Sequence, residues 1–489
     1  SFHSSLAGSL RTTRDLEAYS KIKSPSERSI VSKLVPSLRG GIIGQKGDPS
    51  PLQAIKNSAN EFQNKANFKR VLVSAGLYFL AGAFVIPAIP RIVNEIVANG
   101  KITAASSTIY GLVVSTDAFF TFLTTNFHAT MSDTYGRKPF LLVSIAGLGL
   151  GFLLTSLASK VWLLILAAAI DGCTSCMYSL AQAYVSDCVG EGPKLSEYLG
   201  LFQGLSIGLA FMVGLPLGGV LAAKKGTHYN LFFSAFICGV NFIYTGLFLS
   251  ESLADSNRKS KTDFKMANPL GAIRILARSG FTLGISLCYC LLWAGEETPK
   301  NFNDLSFCFA ANTGLQVNFF NYTDKKLSWN TAQSGAGLAL MGLMVAVAPK
   351  AVVPILGLKR GLVFCLLLFA MGQAAIGFAP ATDGGGKWVY LGLVLSAIGS
   401  VANPAIVTLL ASQASANEKG AIQGSADTIK TATTVVSNPL MAACFGYFIS
   451  EKAPKGFLGG SFFVGSGIAF LAALIAIGTF NAYDQIKFE

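Results

Sequence analysis

Twelve runs of about twenty predominantly apolar residues pass through this chain, each the length a helix needs to cross the hydrocarbon core of a bilayer. They fall near 71–93, 105–130, 140–158, 161–185, 198–222 and 230–250, then near 280–297, 331–350, 361–379, 388–411, 420–448 and 460–482. Inside a bilayer each segment must satisfy its own backbone hydrogen bonds, so runs of this length read as helices and the chain as an all-α membrane protein. Composition agrees: 52% of residues are hydrophobic and 13% charged, against about 25% charged in a soluble domain. The net charge of +13 is spread over segments flanking the spans, so it marks no nucleic-acid partner. Nine Cys lie mostly within apolar runs and imply no disulfide framework; Cys173 and Cys176, a CxxC on a span, read as small packing residues. No nucleotide loop, metal cluster or nucleophile triad is visible. The sequence therefore assigns no catalytic residue, no metal ligand and no cofactor, and the chain does not read as an enzyme.

The spans divide the chain. Residues 1–70 form a polar, basic tail, 71–250 a first set of six helices, 251–279 a polar linker, and 280–489 a second set with a short tail. The linker carries Arg258, Lys259, Lys261, Lys265, Arg274 and Arg278. Cationic segments stay on the cytoplasmic side, which puts the linker and both termini there and leaves Asn321-Tyr322-Thr323, the only sequon, in an outer loop after span seven as a glycosylation candidate. The tail's composition predicts disorder unless a protein partner holds it. Its first residue, Ser, reads as a targeting remnant, a processed start or a plain tail. Which membrane holds the chain is not written in the sequence.

Spans two and three are joined by Ser132-Asp133-Thr134-Tyr135-Gly136-Arg137-Lys138-Pro139. Gly136 suits the tight turn, Arg137 and Lys138 keep to the cytoplasmic side, and an acid at a span's end, Asp133, asks for a partner. The pattern resembles the Gly-x-x-Ser/Ala-Asp-Arg-x-Gly-Arg-Arg/Lys hairpin of the major facilitator superfamily, with Ala129 in place of the first Gly and Thr134 in place of the middle cation. In span five Gly200, Gly204 and Gly208 recur every four residues, on one helix face suited to close packing. They lead to Gly214-Leu215-Pro216-Leu217-Gly218-Gly219, which resembles the superfamily's antiporter motif Gly-Pro-x-x-Gly-Gly with the proline shifted one place. Ile170-Asp171-Gly172 followed by Ala181-Gln182-Ala183-Tyr184-Val185-Ser186-Asp187 is similar to span four of the tetracycline-efflux type of drug:proton antiporter, a branch that includes eukaryotic orphan carriers. Glu251-Ser252-Leu253 and Asn268-Pro269-Leu270 match the edges of that family's central loop. The resemblance implies the major facilitator fold, twelve transmembrane helices in two six-helix bundles. It also implies a gate in which Asp133, with Gly136, Arg137 and Lys138, meets the start of span eleven near Gly420, where helix-end amides favour an anion.

Departures limit what carries over. Where proton-coupled efflux members place an acid in span one this chain has Tyr78, and where they commonly place Arg before Asp171 it has Ala168. Tetracycline antiport is therefore not implied. Asp171 and Asp117 remain as acids deep in spans four and two. Such an acid costs about 2.5–3.5 kcal/mol to insert, so it faces a cavity or a partner; either is a proton-coupling candidate, or a packing acid between helices. Gln182, Gln203, Asn241, Gln373 and Asn403 are candidates to line a polar cavity, and equally to bridge helices. Two function classes stay open: a secondary carrier of a small organic solute working by alternating access, with proton coupling as an option, and a transport-inactive carrier fold serving as a structural subunit or receptor in a membrane complex.

Overall fold

The computed structural model describes residues 51–189, 198–199, 201–253, 258, 279–293, 311–382, 384–412, 419–454 and 457–483, and the regular structure among them is helical throughout. Span one is α1 (Pro51–Val85) followed by α2 (Ile89–Ala98), divided at Pro87. Helix α1 opens on Pro51, a favoured first helical residue, and meets no Gly or further Pro until Gly76. Residues 51–70 are therefore helical rather than disordered; the remainder of the tail lies outside the described residues.

Span two is α3 (Ala104–Tyr135), started by a reciprocal capping box in which Ser106 N donates to Thr103 Oγ1 (3.1 Å) and Thr103 N to Ser106 Oγ (3.0 Å). It stops at Gly136, whose φ of 100° and ψ of 161° are open essentially only to glycine. Span three, α4 (Arg137–Ser156), begins at once. Span four is α5 (Val161–Thr174) and α6 (Met177–Val189). Span five opens with a π-helical turn, Gln203–Gly208, and continues as α7 (Leu209–Lys225); span six is α8 (Thr227–Phe248). In the second half the described residues give α9 (Gly280–Trp293) in span seven and then α10 (Ala311–Leu327), both packed on the last helix. Spans eight to twelve are α11 (Thr331–Leu356), α12 (Leu358–Phe378), α13 (Gly385–Gly399) with α14 (Ala402–Ser412), α15 (Lys419–Phe448) and α16 (Gly460–Ala482). Gly357, with φ of 69°, opens α12 as Gly136 opens α4, an echo of one half in the other.

Burial is inverted relative to a soluble protein. On α8 Phe232, Phe236, Ile243 and Leu247 point outward, whereas Asn230, Ser234, Asn241 and Thr245 are completely buried. Lipid is as apolar as any core, so exposed rings cost nothing there and polar groups turn inward to find each other. Each half has its own apolar core. The halves meet along α3 with α15 and along α7 with α11. On the face opposite the 132–139 hairpin, the far face, α2 and the segment before α3 also bind α10 of the other half. Arg91 pairs with Asp324 (3.5 Å), Asn94 donates to Asn321 (3.0 Å), and Lys325 Nζ donates to the Ile102 carbonyl (3.2 Å).

Two expectations change here. Asn321 is not in an outer loop: it sits inside α10, 3% exposed, accepting from Asn94 across the seam. A carboxamide so placed cannot carry a glycan in this conformation. Of the span-five glycines, Gly204 has open space where a side chain would stand, because the π-helical turn resets the residue spacing that a regular helix would give. Gly208 closes that turn, and Gly200 lies outside the described residues. The later glycines do pack. A Cβ on Gly214 would lie 2.7 Å from Ala83 Cβ, and one on Gly218 2.3 Å from the Phe84 carbonyl oxygen. Pro216 sits within α7 beside them. Gly219 approaches the other half, 2.4 Å from the Thr331 oxygen by the same measure.

Candidate functional site

Span four is interrupted near the middle of the membrane. Ser175, at the end of α5, is extended (φ −71°, ψ 93°); its amide still donates to the Gly172 carbonyl (3.3 Å), but the regular ladder stops there and leaves backbone groups on both sides with room for further partners. Hydroxyls from the neighbours fill that role, as hydrocarbon requires. The Gly172 carbonyl accepts from Thr124 (3.1 Å) and Thr121 (3.5 Å), and the Ser175 carbonyl accepts from Thr125 (3.4 Å), all on α3. From α4, Ser144 Oγ accepts the amides of Cys176 (3.3 Å) and Met177 (3.2 Å). Ser144→Ala would orphan both amides, which costs about 1–3 kcal/mol. The expected result is a lower midpoint of thermal unfolding in detergent with unchanged helix content. Cys173 and Cys176 are free, and Cys176 Sγ points at the Phe140 carbonyl.

Asp171 stands in the last turn of α5, just before the interruption. Gly172 packs against the backbone of Asp117, its missing Cβ only 2.3 Å from that carbonyl oxygen, and the two carboxyls interact electrostatically. Tyr78, the residue that replaces an acid in span one, is buried near both carboxyls and Ser144. Among the described residues no cation pairs with either carboxyl. Asp171 faces a recess of about 210 Å³ whose other walls include Tyr78, Phe79, Leu148, Phe152 and Phe211.

The hairpin forms a second polar centre. Arg137 reaches Asp133 (2.6 Å), Ser132 Oγ (2.6 Å) and Asp187 at the end of α6 (3.3 Å). Glu251, just after α8, accepts the amides of Arg137 (2.8 Å) and Lys138 (3.0 Å), the first two of α4, and those of Ser252 and Leu253 (3.1 Å each). Ser252 Oγ donates to Asp187 (2.8 Å), and Lys138 Nζ donates to the Gly246 carbonyl (2.8 Å). Spans two, three, four and six are thus tied at one end. Glu251 read only as a motif edge in the sequence; its distance of more than a hundred residues from α4 hid the cap. Gly420 falls within α15, and its surroundings lie outside the described residues.

The cavity candidates separate. Asn241 is completely buried, donating to the Ser74 carbonyl (2.9 Å) and accepting from Thr245 (3.3 Å), so it bridges α8 to α1. Gln373 is buried in α12 at 1% exposure. Gln182 keeps its Nε2 buried without a partner. Asn403 is half-buried on α14, and the Gln203 side chain lies outside the described residues.

Comparison with known proteins fits this architecture. The chain is 25% identical to the class G tetracycline resistance protein of Vibrio anguillarum over 82% of its own length and 95% of that protein. It is 22% identical to human Hippocampus abundant transcript-like protein 1, over 71% of this chain and 66% of that one. The crystal structure of the human organic anion transporter MFSD10 (TETRAN) superposes with a TM-score of 0.62 at 19% identity, covering 84% of this chain and 99% of that one. The profile of the Major Facilitator Superfamily matches residues 71–438, three quarters of the chain and both halves of the helix array, and on that match the chain belongs to the major facilitator superfamily.

Proposed function

We propose that this protein is a secondary active transporter of a small organic solute, worked by alternating access and driven by protons taken up at Asp171 and Asp117. The observation that supports it most is the interrupted fourth span. It sets two unpaired carboxyls at mid-membrane beside a recess, and discontinuous helices are where carriers of this general design hold solute and ion. Family membership supports secondary transport in general; the solute and the proton are this reading's own. In it the two bundles rock about the 251–279 linker, with both termini cytoplasmic. Asp133, Gly136, Arg137 and Lys138 close the cytoplasmic side against the start of span eleven near Gly420, opposite the far-face seam of Arg91, Asp324, Asn94 and Asn321.

The test is reconstitution into liposomes with a panel of solutes, with and without a pH gradient. The wild type is expected to accumulate at least one solute only when the gradient is imposed. Asp171→Asn keeps the size of the side chain and mimics the protonated acid, which can no longer take up and release a proton, so accumulation should stop while downhill exchange survives. Gradient-driven accumulation by Asp171→Asn at the wild-type pH dependence would reject Asp171 as the coupling site. Asp117→Asn is expected to weaken the pH dependence rather than abolish it.

A further inference from the structure

We infer that the recess beside the fourth span binds an organic cation, a compact apolar body bearing one positive charge, with Asp171 as its counter-ion. This deepens the transport reading above and rests on it only for the claim that the bound molecule is then moved. Three independent features of the recess favour positive charge. Asp171 faces the space, and the Asp117 carboxyl stands behind it close enough to add its field. The recess lies at the carboxyl end of α5, and the helix dipole puts partial negative charge there. The remaining walls present aromatic rings from three helices, Tyr78 and Phe79 on α1, Phe152 on α4 and Phe211 on α7, and ring faces attract cations.

The same features exclude other ligands. An anion would meet two carboxyls and a helix carboxyl end, with no Lys or Arg among the lining residues to receive it. A divalent metal wants several oxygen ligands around it, whereas these walls are mostly hydrocarbon, and no metal-holding group of side chains occurs among the described residues. Volume adds a limit. At about 210 Å³ the recess falls below the roughly 300–1,000 Å³ of sites for drug-sized molecules. A one-ring amine or quaternary ammonium is of a size that the recess can hold.

The test is equilibrium binding to the purified full chain in detergent, independent of any transport. The probes are benzyltrimethylammonium, phenylacetate and benzyl alcohol, which share one ring and differ in charge. Benzyltrimethylammonium cannot lose a proton, so its charge is fixed throughout. It is expected to bind saturably, with phenylacetate and benzyl alcohol at least tenfold weaker. Asp171→Asn should weaken it tenfold or more and Asp117→Asn by a smaller factor, with the thermal melts of both ligand-free variants close to wild type. Equal or tighter binding of phenylacetate, or benzyltrimethylammonium affinity within twofold of wild type in folded Asp171→Asn, overturns the assignment. Should Asp171→Asn not fold, the comparison of the three probes on the wild type decides alone. Failure here separates from failure of the transport reading: uptake of other solutes with no cation binding sinks only this inference, and cation binding with no uptake of any solute sinks only transport.

Discussion

Gly219→Val is expected to cut transport severely while leaving a folded protein. A Cβ at this position would stand 2.4 Å from the Thr331 carbonyl oxygen and 3.0 Å from Ala332 Cα, across the α7–α11 seam between the two halves. The obstacle is backbone, which cannot swing aside as a side-chain tip can. The three nearest atoms all belong to the other half, so the cost is greatest where the far face is closed. Overpacking of this kind costs about 1–3 kcal/mol, which shifts a two-state balance by about 5–150-fold. The shift can be read by placing a cysteine at Ser334, which is 1% exposed, in a background depleted of other thiols. A membrane-impermeant thiol reagent added on the far side should label it in the Gly219→Val chain and spare it when Gly219 is kept. Wild-type turnover together with a protected thiol would mean that the seam does not need to close to this distance.

Glu251→Ala should produce the largest loss of stability among single changes at the hairpin. One carboxylate there accepts four backbone amides, two of them at the start of α4, and sits against Gly136. A helix cap contributes about 1–2 kcal/mol, and hydrogen bonds to a charged group are the stronger kind, about 1.5–3 kcal/mol. We expect a fall of about 2–3 kcal/mol, seen as poor recovery of monodisperse protein and a melt several degrees lower. Glu251→Gln, which keeps an acceptor but loses the charge, should fall between the two. A melt unchanged in Glu251→Ala would show that solvent replaces the cap without loss.

Particular residues explain what was legible beforehand. The apolar runs and the 132–139 turn were readable because both obey local rules: bilayer thickness sets run length, and Gly136 alone suits its backbone angles. The break in span four was not, because it uses no proline. Thr174, Ser175 and Cys176 sit unremarkably in an apolar run, and the hydroxyls that permit the break lie elsewhere in the chain. The clue was a cluster at helical spacing on span two, Thr121, Thr124 and Thr125, facing one turn of backbone. Span seven misled for the opposite reason. A window of about twenty residues ended its search near 297, whereas residues Ala311–Leu327 are helical too, with Asn318, Asn321 and Asp324 along them. The approach of Asp171 to Asp117 also needed coordinates, since it depends on how closely spans two and four pack at Gly172.

Helices α9 and α10 bear on how the chain enters its membrane. The described residues of α10, Ala311–Leu327, are rich in amides and charges. Their final place is fixed by later partners. Asn318 donates to the Met441 carbonyl of α15, and Tyr322 donates its hydroxyl to the Ile376 carbonyl of α12. Both acceptors are synthesised after α10 itself. The hydrogen bonds that hold α10 in this half therefore form only once spans nine and eleven have been made.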